Sequence, residues 1–207
     1  MNAGTGDVGA AEFDTTALRR TVGWVAALNF SYFFIEFSVA VTIASVALFA
    51  DSVDFLEDTA VNLLILVALG WTARKRAMVG MALAAILLVP GVATLWTAWH
   101  QFTAPVIPAP LPLGLAGAGA LAVNLTCSLL LARYRAAGGS LTRAAFLSAR
   151  NDALANVAII AAGLATVATQ SHWPDLAVGL GIFLLNLDAA WEVFEEAQKE
   201  RSQPARS

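Results

Sequence analysis

Four carboxylates stand within nine residues of an otherwise apolar stretch: Asp51, Asp54, Glu57 and Asp58, in "ADSVDFLED" from Ala50 to Asp58. "SVALF" precedes them and "TAVNLLILVALGW" follows, so the acids interrupt an apolar run rather than decorate a polar loop. At the pitch of an α-helix, Asp51, Asp54, Asp58 and Asn62 share one stripe, at offsets of 3, 4 and 4, with Glu57 alongside. An ionised carboxylate in hydrocarbon costs at least about 2.5–3.5 kcal/mol. Acids in this pattern must line a watery cavity, share protons or hold a cation.

A second polar stripe lies far along the chain. In "SARNDALAN", Ser148, Asp152 and Asn156 recur at i, i+4 and i+8, with Asn151 beside them. The rest of that segment is apolar or small, which allows a neighbouring helix to come close. Two helices that each present oxygen donors one turn apart can meet as a four-point oxygen cage. Such a cage suits a divalent cation, and protons released on binding are its natural counter-ion.

The elements that must carry these stripes are membrane helices. The chain has 207 residues, 58% hydrophobic and 13% charged, with a mean hydropathy of +0.70. About a quarter of an average soluble domain is charged, so this composition indicates a membrane protein. Six segments are apolar over the roughly 20 residues a span needs: 22–44, 46–71, 77–100, 112–132, 144–169 and 174–195. The expected fold is an all-α membrane protein of six transmembrane helices. Residues 1–21 form a cytoplasmic segment, 22–195 the transport domain and 196–207 a short cytoplasmic tail.

Basic residues set the direction. Of the 12 Lys and Arg residues, all except Arg150 fall before span 1, between spans 2 and 3, between spans 4 and 5, or in the tail. Those places share one side, which the positive-inside rule makes cytoplasmic, N- and C-termini included. Arg150 is expected to snorkel to that boundary. The net charge of −3 is small and spread out, so no nucleic-acid partner is expected. Residues 1–18 hold three acids and no base, the reverse of a signal peptide. The sole cysteine, Cys127, has no partner for a disulfide or a metal site.

At these residues the chain resembles the cation diffusion facilitator family of metal/proton antiporters. Their second span typically reads "SLALLADAxHxxxD", and Ser45–Asp58, "SVALFADSVDFLED", matches in register. The family's H/D-x-x-x-D pair falls on Asp54 and Asp58, and its fifth-span His-x-x-x-Asp pair on Ser148 and Asp152. Glu36 in "FIEFSVA", "VNLTCSLLLARYR" from Val123 and "HWPDLAVGLGIFLL" at the start of span 6 echo it further. The resemblance covers residues 22–195. It implies a metal site of Asp54, Asp58, Asp152 and Ser148, with Asp51, Asn151, Asn124, Asn62 and Glu36 as accessory candidates. It also implies a homodimer, and a short form without the cytoplasmic C-terminal domain that most members carry. The membrane helices alone would then hold that dimer.

Ser148 stands where the family has His, which bears on the metal. Zinc favours nitrogen and sulfur ligands while accepting carboxylates. An all-oxygen set shifts preference towards harder ions such as Mn²⁺. The expected substrate is a divalent transition metal (Zn, Mn, Cd, Co or Fe), exported in exchange for protons across a bacterial inner membrane. A non-transporting relative, acting as sensor or partner subunit, is the alternative that Ser148 and the short form suggest. A metal-dependent intramembrane enzyme is the remote one, because no bases or glycines stand near the acids to hold phosphates. The chain is therefore read as a transporter and not an enzyme.

Other polar residues carry milder expectations. Asp51 lines the exit path or supports a ligand, and Glu57 is a helix-contact acid. Asn29, Tyr32 and Glu36 make a stripe on span 1 with a structural or proton-path role. His100 and His172 sit in water, and Trp96, Trp99 and Trp173 form an interfacial belt.

Overall fold

The computed structural model describes residues 15–68, 75, 78, 91–134 and 139–202, and those residues are helices and short turns. The helices are α1 (Thr15–Ile43), α2 (Val46–Ala68), α3 (91–103), α4 (Pro110–Ala132), α5 (Gly139–Thr169) and α6 (Trp173–Ser202). Most of the expected span 77–100 and its basic neighbour "TARKRA" lie outside the described residues. α1, α4, α5 and α6 start before the expected spans, while α2 begins where expected, at residue 46. α1 starts before residue 22, and α6 continues past residue 195 into what was read as the tail.

Among the described residues, three helices are long and apolar enough to cross a membrane: Thr16–Ile43, Pro110–Ala132 and Ala145–Thr169. The apolar part of α6, Trp173–Leu187, is shorter. α2 is as long as α4, 23 residues each, but its four acids break its apolar run. Large apolar side chains point outward all round, including Phe34, Leu115, Leu129, Leu164 and Leu185. In a membrane these meet acyl chains, so their exposure costs nothing.

α1 packs on α2 and α4, α4 on α5, and α2 and α5 on each other and on α6. Two apolar layers close this bundle. One joins Leu18, Val22, Val25, Ile65, Cys127, Leu131, Ala145 and Ala149, from α1, α2, α4 and α5. The other joins Ala40, Ala47, Leu48, Ala50, Leu113, Ala116, Ile159 and Ile182, and adds α6. Along each of α1, α2, α4 and α5, the residues between the two layers include buried polar side chains. α3 joins the far end, where Ala98 packs with Val46 and Leu176.

The elbow between α1 and α2 is built from backbone chemistry. Ser45 N–H bonds to the Ala40 carbonyl at 3.0 Å, closing α1. Ala44 takes φ 55° at the left-handed position where helix ends usually place glycine. Ser45 then caps α2, its Oγ accepting from Leu48 N–H at 3.1 Å. The preceding donors are met from α6. Asp175 accepts Val46 N–H at 2.7 Å, Ala47 N–H at 3.4 Å and the Ser45 hydroxyl at 2.5 Å. α6 can come this close because residue 179 is glycine: a Cβ there would lie 2.7 Å from Ala47 N.

Asp175 is fully buried, so removing it leaves several donors in the interior without an acceptor. Asp175→Ala is expected to destabilise the fold by about 2–4 kcal/mol. Thermal unfolding in detergent measures this, and an unchanged midpoint would rule out the capping role.

Candidate functional site

The acid stripe of α2 faces inward, between the two apolar layers. Asp51 is 0% exposed, Asp54 8%, Asp58 6% and Asn62 1%, while Glu57, off the stripe, is half-buried. Helical periodicity put these four side chains on one face, and the neighbouring helices cover it.

Asp58 lies at the centre of a cross-helix network. Its Oδ1 accepts from Ser148 Oγ of α5 at 2.9 Å, and its Oδ2 from Asn29 Nδ2 of α1 at 3.2 Å. Ser148 Oγ also lies 3.4 Å from Asp152 Oδ2. A hydroxyl carries one proton, so the shorter contact is the bond and the longer one records proximity. Beyond Asn29, its Oδ1 receives the Cys127 thiol of α4 at 3.5 Å. Four helices are thus joined through side chains in one layer: α4, α1, α2 and α5.

Asp54 turns towards α6 instead, where Asn186 donates to its Oδ1. Asn186 is a partner that reading the sequence missed. Its only signal there is a lone amide in the apolar run "IFLLNL". Asn29 sits on the polar stripe that the sequence predicts for α1, and the fold brings it beside Asp58.

Glu36 of α1 and Asp51 of α2 are both fully buried, and their carboxyls lie within hydrogen-bonding reach of each other. Among the described residues no donor reaches any of their four oxygens. As carboxylates both only accept, so a proton, a cation or a water molecule has to join them. The amides show a similar pattern. Asn62 and Asn156 spend their N–H groups on the backbone carbonyls of Asp58 (2.7 Å) and Asp152 (2.8 Å) one turn back. That leaves the side-chain oxygens of Asn62, Asn156 and Asn124 buried without a donor.

Some expected residues fall elsewhere. Asn151 is exposed and accepts from Arg150 at 3.4 Å, pointing away from Asp152. A single-residue step turns a helix by about 100°, enough to take it off the stripe. Tyr32 gives its hydroxyl to the Ala116 carbonyl at 2.6 Å and so bridges α1 to α4, the structural role expected of it, within electrostatic reach of Glu36 and Asp51. His100 is exposed, and His172 stacks beside Trp173 with ring centres 5.1 Å apart. Trp99, Phe102 and Trp173 adjoin at that same end.

Asp58, Ser148 and Asp152 therefore come together, with Asp54, Asp51 and Glu36 in the same layer. Among the described residues, no three His, Cys, Asp or Glu side chains stand close enough to form a closed ligand group. What the layer provides is a set of buried oxygens, several without donors, drawn from four helices. Oxygen-rich surroundings of this kind attract hard or borderline cations and protons.

Residues 24–200 match the family model described as the Cation efflux transmembrane domain. The chain matches no curated protein.

Proposed function

The chain belongs to the cation efflux family of membrane transporters of divalent metal cations, and from that premise we propose that it expels a transition-metal ion in exchange for protons. The metal is held between α2 and α5 by Asp54, Asp58 and Asp152, with the Ser148 hydroxyl as a fourth oxygen. Six spans with both termini in the cytoplasm, a homodimer and a bacterial inner membrane belong to the same reading.

One observation carries it. The polar layer between the two apolar layers holds Glu36, Asp51, Asn62, Asn124 and Asn156 oxygens that no described donor satisfies. Burying such atoms without a partner is costly, and a cation, a proton or a water molecule would satisfy them. Ser148 Oγ at 2.9 Å from Asp58 and 3.4 Å from Asp152 marks where α2 and α5 offer oxygens to a common point. A cation arriving there would displace the hydroxyl proton from its bond and draw the two carboxylates inward. Asn29 and Asn186 would keep Asp58 and Asp54 aimed while the site is empty. Asp51 and Glu36, beyond that point on the α1–α2 side, would take up protons or stage the ion as it leaves. Alternating exposure would come from rocking one helix group against another.

A second reading is a relative that binds metal without moving it, as sensor or partner subunit. It draws on the hydroxyl at residue 148 and on carboxylates that do not converge into a closed group. Proteoliposomes separate the two. Metal-dependent proton flux is expected with at least one of Zn²⁺, Cd²⁺, Co²⁺, Mn²⁺ and Fe²⁺. Measurable binding with no flux for any of them would replace transport by the second reading.

A further inference from the structure

Away from the polar layer, a cleft of about 310 Å³ opens where the start of α1 meets the end of α4. Its lining includes Arg20, Thr21, Trp24, Leu130 and Arg133, with no acid among the described residues. Arg20 and Arg133 are both exposed and come from different helices. Arg133 is held in place, donating to Thr21 Oγ1 at 2.9 Å and lying 4.7 Å from the Tyr134 ring centre. Its remaining N–H donors are not used by that bond. Trp24 stands one helical turn beyond Arg20, towards the middle of α1, and is 68% exposed. The cleft is therefore basic at the helix ends and apolar deeper in.

We propose that this cleft binds an anionic phospholipid, Arg20 and Arg133 gripping its phosphate and an acyl chain lying along Trp24 and Leu130. The position supports it: α1 and α4 are two of the helices that can cross a membrane, so their ends lie at headgroup depth. Guanidinium groups match phosphate geometry with paired donors. Basic pockets between membrane helices are a known setting for acidic headgroups. Among the described lining residues the charged groups are the two guanidiniums. A free phosphate shares the headgroup charge but leaves the Trp24–Leu130 wall unused, and this favours the lipid.

Native mass spectrometry of the full chain in detergent tests this, with phosphatidylglycerol and phosphatidylcholine of equal chain length added in turn. Retention of phosphatidylglycerol is expected to exceed that of phosphatidylcholine by on the order of tenfold. Arg20→Gln, which leaves the Arg133–Thr21 bond intact, and the double variant Arg20→Gln/Arg133→Gln should progressively erase that preference. Trp24→Ala should weaken retention of phosphatidylglycerol, because it removes the wall along which the acyl chain lies. Unfolding midpoints of the variants in phosphatidylcholine alone check that the fold survives. Equal retention of the two lipids, or a preference that survives the double variant, overturns the proposal. Inorganic phosphate that displaces phosphatidylglycerol at matched concentration would make the cleft an anion site and overturn the lipid assignment.

Discussion

Asp58→Asn and Asp152→Asn are each expected to lower metal-driven proton flux in proteoliposomes by at least about a hundredfold. The substitution keeps the size of the side chain and removes one anionic oxygen from the point where α2 and α5 meet. Asp58 is the more exposed to disruption, because it accepts from both Ser148 at 2.9 Å and Asn29 at 3.2 Å. Asparagine there keeps one acceptor oxygen, so one of the two bonds is lost or reversed, the Ser148 hydroxyl turning to accept. Asp152 has a looser setting, half-buried and 3.4 Å from the same hydroxyl. Its loss should act more purely on the cation. Metal binding by calorimetry, run beside flux, divides these effects. Flux close to wild type in either variant would remove that aspartate from the ion's path.

The second large effect concerns the metal itself. Ser148→His is expected to raise zinc transport relative to manganese by roughly ten- to a hundredfold. A neutral imidazole nitrogen is a better zinc ligand than a hydroxyl, whereas manganese gains less from it. Ser148 is half-buried, one turn before Asp152, so a larger side chain has room to turn towards Asp58. Competition between Zn²⁺ and Mn²⁺ for uptake reads the shift directly. Ser148→Ala is the calibrating variant. It removes one neutral hydrogen bond, worth about 1 kcal/mol, and should change flux only a few-fold. If Ser148→Ala abolishes zinc transport, the hydroxyl is itself a principal ligand, and the comparison of residue 148 with histidine loses its basis.

The tie between α2 and α6 affects how the helices could move. Asp175 takes the first N–H groups of α2, Gly179 admits α6 against the same turn, and Asn186 holds Asp54 farther along. Three contacts spread over this length join the two helices as a unit. Any rocking that exposes the acids in turn would have to move α2 and α6 together, against α4 and α5.

The sequence alone determined that Asp51, Asp54, Asp58 and Asn62 share a face, that Ser148, Asp152 and Asn156 share another, and that both lie on long helices. Those are consequences of helix pitch and composition, properties each segment carries by itself. It also carried the family pattern, on the residues from Ser45 to Asp58. Only the tertiary structure decided which faces meet. Asn29 reaches Asp58 across 29 positions of chain and Asn186 reaches Asp54 across 132. Asp175, one polar residue at the start of a span, proved to be the cap of a helix 129 positions earlier. Asn151, adjacent to Asp152 in sequence, turned outward to Arg150. Partners across helices depend on how side-chain volumes let distant segments approach, as glycine does at 179, and no local period encodes that distance.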